Sequence, residues 1–186
     1  MTQTIRFLKS SFSVNVYVLP GPAGLVFDAG YGNRTCRKGL AAAVRQIENR
    51  VSVNGTKCRI SRVLPSHSHW DHFSGLDFLR KTLGLTVLAT DKQAGVIRSR
   101  QVYQKLYRAP HSFYRQPGPG LPWVIDFLKS HLNRTLFMNL MRIGFVSGPI
   151  ERLENSAVLD TGREKWQVIE LPRHTNDDIA LFSRDR

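Results

Sequence analysis

Three histidines and an aspartate fall within six positions of this chain, in the H-x-H-x-D-H cluster His67-Ser68-His69-Trp70-Asp71-His72. With 6 His in 186 residues, chance placement of that pattern has odds on the order of three in ten thousand. Imidazole nitrogens suit zinc and its first-row neighbours, whereas calcium and magnesium take oxygen ligands and would not need three histidines. In an extended turn His67 and His69, two residues apart, direct their rings to one side. Asp71 and His72 face elsewhere, to serve a neighbouring metal or to activate a water. Ligands from this loop alone leave coordination positions open, and an open zinc position lowers the pKa of a bound water, which favours hydrolysis over a structural role. A further ligand has to come from elsewhere, and His174, at the end of a predicted strand in Leu171-Pro-Arg-His-Thr-Asn-Asp-Asp178, is the best placed. His131 lies on the apolar side of a predicted helix and reads as a packing residue, while His111, among Arg108 and Arg115, lacks a ligand partner nearby.

The elements around the cluster read as α/β. Phe12 to Leu19 is rich in β-branched and aromatic residues, Pro20 to Gly24 supplies a turn, and Leu25 to Phe27 resumes the strand, giving a hairpin. Gly39 to Asn49 carries Leu40, Ala43, Val44 and Ile47 at helical spacing, and Ile60 to Leu64 is an apolar run that ends at Pro65 and delivers the chain into the histidine loop. Phe73, Leu76, Leu79 and Leu83 then predict a helix that Gly84 terminates, followed by a strand over Leu85 to Ala89. From about Asp91 the pattern turns helical, broken by Gln116 to Pro122, and Val124, Leu128, Leu132, Leu136 and Leu140 recur every fourth residue. Strands are expected again at 156–159, 166–171 and 178–182, with Asp160-Thr-Gly162 as a turn.

Length and composition are those of one soluble globular domain, residues 1–186, with 41% hydrophobic and 22% charged residues. The N-terminus lacks the pattern of a signal peptide and no run suffices to cross a bilayer, so a cytoplasmic location is the expectation. Cys36 and Cys58 form no C-x-x-C motif and read as ordinary residues. The formal charge is +13, and between Lys92 and Phe145 nine Lys/Arg face one acid, Asp126. That segment is therefore expected to contact polyanions or anionic lipid, unless its cations merely solvate helix faces.

Several features in order resemble the metallo-β-lactamase-fold hydrolase superfamily: Asn15-Val-Tyr-Val18, Val26-Phe-Asp28-Ala-Gly30, Ser66 to His72 followed by Gly75-Leu76, and Leu171-Pro-Arg-His174-Thr175. The resemblance implies an αβ/βα metallo-β-lactamase-type sandwich with a basic helical insertion at about 91–147. It also implies a first zinc on His67, His69 and His174, a second on Asp71 and His72, and Asp28 orienting the loop from behind the ligands.

The superfamily's bridging Asp and last His have no counterpart, since Asp160 and Asp185 both fall in predicted turns. Two expectations follow. Either the second half of the sandwich is incomplete and its unclosed sheet edge promotes self-association, or the chain binds a single zinc and Asp71 is the catalytic base. Arg173 stands where a glycine is usual, narrowing the pocket or binding an acidic group of the substrate. The leading function is zinc-dependent hydrolysis of a small ester, lactone or thioester. The alternatives are a metal-dependent nuclease or phosphodiesterase, and a catalytically impaired metal-binding or membrane-surface protein.

Overall fold

A computed structural model describes residues 2–7, 10–53, 55–106, 138–139, 142–171 and 174–183. Two strands, β1 (Thr2–Phe7) and β2 (Ser10–Asn15), pair antiparallel at the start of the chain. Strands β3 (Tyr17–Leu19) and β4 (Gly24–Phe27) form the expected hairpin and lead through helix α1 (Arg34–Arg50) and the short hairpin β5 (Ser52–Val53) and β6 (Thr56–Lys57) to β7 (Ile60–Leu64). After the histidine loop come α2 (Trp70–Phe73), α3 (Leu76–Leu83), β8 (Thr86–Thr90), α4 (Asp91–Arg98) and α5 (Arg100–Leu106). The last strands are β9 (Glu151–Leu153), β10 (Val158–Asp160), β11 (Lys165–Glu170) and β12 (Ile179–Ser183).

Two sheets carry the core. One has the order β3-β4-β7-β8-β9, antiparallel at β3 and parallel from β4 onward; the other is antiparallel, β10-β11-β12. Period-two alternation divides the side chains of the first sheet between its faces. Val26, Val63 and Val87 pack with Leu40 and Val44 of α1, Leu76 and Leu79 of α3 and Ile97 of α4, whereas Leu25, Leu64 and Leu88 meet Leu159, Val168 and Ile179 of the second sheet. The described layers therefore run helices, sheet, sheet, and the turn bearing Asp28 and the histidine loop emerge at the C-terminal ends of β4 and β7.

Local chemistry accounts for the element ends. Asn33 caps α1 by accepting from Cys36 N at 2.9 Å, and Gly84, at φ 70, closes α3 in the left-handed conformation that glycine adopts without strain.

Three expectations need adjustment. The strand expected over 12–19 is interrupted at Val16, whose side chain is fully buried where the chain passes from pairing with β1 to pairing with β4. The strand expected over 156–159 is Val158–Asp160, so Asp160 both ends β10 and opens the expected turn, its carboxylate accepting from Gly162 N. Strand β9 went unanticipated because only Leu153 of its three residues is apolar.

The helix expected over 124–141 lies almost wholly outside the described residues; Met138 within it is buried. Cys36 and Cys58 are buried thiols outside any disulfide, and no described helix is long and apolar enough to cross a membrane.

Candidate metal centre

Asp28 leaves β4 at φ 70, a left-handed backbone that only glycine, asparagine and aspartate adopt readily. That turn aims a buried carboxylate at the start of the histidine loop. Oδ1 accepts from Ser66 N at 2.7 Å, and Oδ2 accepts from Ser66 Oγ at 3.1 Å and lies 2.9 Å from His72 Nδ1. Ser66 Oγ also stands 2.9 Å from His67 Nδ1.

One protonation pattern satisfies every member of this network. His72 Nδ1–H donates to Asp28, His67 Nδ1–H donates to Ser66 Oγ, and the Ser66 hydroxyl donates onward to Asp28. Both imidazoles then keep an unprotonated Nε2.

Those nitrogens matter because of where they point. His67 Nε2 is buried without a hydrogen-bond partner, an arrangement a folded protein rarely tolerates unless the lone pair has another use. His174, on the loop between β11 and β12, brings its Nε2 to 3.1 Å from His69 Nδ1. One ligand nitrogen from each of His67, His69 and His174 lies within 4.8 Å of the others. Tetrahedral zinc, with Zn–N bonds of about 2.0–2.1 Å, sets its ligand nitrogens about 3.3 Å apart, so three imidazoles so disposed fit a zinc ion.

Neutrality is built in. Burial, reinforced by the neighbouring His72 and His69 rings, pulls His67 down to about 4, and burial followed by the nearby His174 holds His69 below its ordinary value. Burial opposes protonation of His72 as well, but the hydrogen bond and charge of Asp28 outweigh it and raise His72 above its ordinary value.

Asp71 lies beside this group, its Oδ2 3.7 Å from His72 Nε2. Tyr31, whose ring centroid is 5.2 Å from that of Trp70, is pushed up to about 12 by burial and then by the charge of Asp71.

Two side chains without a site role in the sequence reading brace the loops. Asp178 Oδ2 accepts from His174 N at 2.7 Å and Thr175 N at 2.9 Å, while Oδ1 accepts from Thr175 Oγ1 at 2.7 Å. Burial opposes its ionisation, but these bonds hold its carboxyl below the usual range.

Gln93 is completely buried at the start of α4. Its Nε2 lies 3.1 Å from Pro65 O, 3.3 Å from Ser66 O and 3.1 Å from Asp177 O, and its Oε1 accepts from Thr90 N. One side chain thus ties the loop of His67 and His69 to the loop of His174. The sequence held one signal for it, the capping-box pair Thr90 and Gln93.

The remaining candidates stand apart or beyond view. Asp160 belongs to β10, away from the histidines, and His111, His131, Arg173 and Asp185 lie outside the described residues.

A family model described as Metallo-beta-lactamase superfamily matches residues 11–186. Among curated proteins none matches the sequence. Several solved structures share the fold. The metallo-beta-lactamase IND-7 is 16% identical with a TM-score of 0.57, covering 99% of this chain and 61% of its own. A metallo-beta-lactamase family protein from Thermus thermophilus is 18% identical with a TM-score of 0.57, covering 91% of this chain and 50% of its own. A beta-lactamase domain protein from Burkholderia ambifaria is 19% identical with a TM-score of 0.63, covering 100% of this chain and 50% of its own. This chain thus spans one half to three fifths of the length of those structures.

Proposed function

The chain belongs to the metallo-beta-lactamase superfamily, and from that premise we propose that it is a zinc-dependent hydrolase of a small ester, lactone or thioester. The observation that carries the reading is the convergence of His67, His69 and His174 together with the orphaned, buried Nε2 of His67. These three residues would hold one zinc, and Asp71 and His72 face the neighbouring position. When bound, the metal would supply Lewis-acid activation of water and of the carbonyl under attack.

The chain's own residues do the rest. The lowered proton affinity of His67 and His69 keeps both rings neutral and available as ligands at neutral pH. Asp28 and Ser66 fix the tautomers of His67 and His72 so that each presents Nε2 forward. Asp178 fixes the backbone that carries His174. We assign Asp71, the carboxylate beside His72 Nε2, to take the proton of the attacking water as the water oxygen bonds to the carbonyl carbon, and to return it to the leaving oxygen or sulfur as the carbonyl carbon–heteroatom bond breaks and frees the alcohol or thiol.

The test measures zinc per chain and turnover of aryl esters, lactones and glutathione thioesters, with and without chelator. Zinc near one or two per chain with chelator-sensitive turnover of one of these classes is expected. Absence of bound zinc, or of metal-dependent turnover on all three, would sink the proposal.

A further inference from the structure

The excess positive charge of this protein has a second location. Between Asp28 and Asp71 the chain carries Arg34, Arg37, Lys38, Arg45, Arg50, Lys57, Arg59 and Arg62, against the single acid Glu48. Glu48 is engaged at the helix flank, where its Oε1 accepts from Ile60 N at 2.8 Å. Five of the eight cations sit on α1, whose buried side is Cys36, Leu40, Ala41 and Val44. Arg34, Lys38, Arg45 and Arg50 are exposed, the first three within about 40° of one another around the helix axis, while Arg37 lies over the Phe78 ring at 5.0 Å.

Two contrasts make this face distinctive. In the other basic stretch three of the described charges are engaged, Lys92 with Glu170 at 2.6 Å, Arg98 with Gly148 O and Arg100 with Asn139 Oδ1, while Lys105 and Arg142 are exposed. Among the described residues Arg34, Lys38, Arg45 and Arg50 form no ion pair. The large exposed apolar side chains of the described residues, Tyr17, Val102, Leu106, Val158, Leu171 and Phe182, all lie off α1. A lipid-docking helix needs an apolar side to insert, and α1 has already committed its own to the core.

We propose that the outward face of α1 is a docking surface for the phosphate backbone of a nucleic-acid strand. Seventeen residues make a helix about 25 Å long, and Arg34, Lys38 and Arg45 recur along it at intervals of about 6 and 10 Å. A regularly charged polymer satisfies such a row. Guanidinium supplies the planar two-point contact that phosphate accepts. The stripe starts next to the candidate metal centre, since α1 follows Tyr31, and Tyr31 packs against Trp70 of the histidine loop with its ring tilted by 45°. Binding along α1 is independent of which bond the centre hydrolyses, so it stands or falls separately from the hydrolase reading.

The test uses fluorescence anisotropy of a labelled 20-nucleotide single-stranded DNA across 50–200 mM NaCl. Contacts to three or four phosphates give a slope of log affinity against log salt of about −2 to −3, a loss of roughly 15- to 60-fold over that range. R34E/K38E/R45E is expected to weaken binding at least tenfold at 50 mM and to flatten the slope by about 2, with zinc content and melting temperature unchanged. If the charge reversal does not fold, R34Q/K38Q/R45Q should move the same quantities in the same direction. R98E/R100E/K105E should bind like the parent. The proposal is overturned by no binding at 50 mM, by parental affinity in the folded α1 variant, by tighter binding of poly-glutamate than of DNA, or by co-sedimentation with phosphatidylserine vesicles in the absence of DNA binding.

Discussion

Replacing Asp28 by asparagine would test whether tautomer control, rather than mere proximity, prepares the histidines for metal. The substitution keeps the size of the side chain, and asparagine tolerates the φ of 70 found there. Its amide oxygen can still accept from Ser66 N, but the atom facing His72 Nδ1 and Ser66 Oγ changes from an acceptor to an NH2 donor. His72 must then accept at Nδ1 and carry its proton on Nε2. Ser66 Oγ, now accepting from the introduced amide, turns its own hydrogen to His67 Nδ1 and drives that proton to Nε2 as well. The Nε2 lone pairs of both His67 and His72 are lost.

Exchanging charge-assisted hydrogen bonds for neutral ones costs about 1–2 kcal/mol of stability, and loss of a residue that orients metal ligands weakens metal binding about 10- to 100-fold. Competition against a chromophoric chelator gives the affinity, and long-range 15N–1H NMR of the imidazoles gives the tautomers. D28A separates the effects: it adds about 1 kcal/mol of left-handed strain and strands the Ser66 N–H, so it should unfold earlier than D28N. Parental zinc affinity in D28N, with the His72 proton still on Nδ1, would refute the reasoning.

Gln93→Leu should cost about 3–5 kcal/mol in urea unfolding, because it strips partners from Thr90 N and three backbone carbonyls around a fully buried position; zinc affinity should also fall about tenfold, and parental values for both would remove Gln93 from the site's support. Gly75→Ala places a Cβ 2.1 Å from Ala29 O, so the strand exit carrying Asp28 must shift; thermal melts should show a loss of about 2–3 kcal/mol. For the metal-free chain, His67 binds its proton near pH 4 when folded and near 6.5 when unfolded. Its contribution to stability is therefore lost as pH falls from 6.5 to 4, by about 2–3 kcal/mol. His72, raised in the fold, contributes in the opposite sense below its ordinary value. Denaturant unfolding in chelator at pH 7.5 and pH 4.5 measures the balance, and H67N should flatten the slope.

The elements around the centre were legible wherever apolar residues kept a strict period. The burial of Leu64 and Val63 on opposite faces of β7, and of Leu76 and Leu79 on one side of α3, is the physical form of the patterns that announced them. The histidine cluster was legible for a different reason, since residue type alone declares ligand chemistry. Asp28 could be placed near the metal only through resemblance, because nothing in Phe-Asp-Ala states that its backbone turns left-handed.

Gln93 was legible only in half of its work. Its capping bonds to Thr90 lie three residues away and follow a local rule, whereas Pro65 O, Ser66 O and Asp177 O are 28, 27 and 84 positions distant and are backbone atoms that every residue possesses. A side chain that binds carbonyls leaves no complementary residue type to find in the sequence. The same reasoning explains why the three-imidazole centre could be anticipated while its bracing could not: ligands are selected by their chemistry, but the residues that hold two ligand loops in register are selected by where the backbone happens to pass.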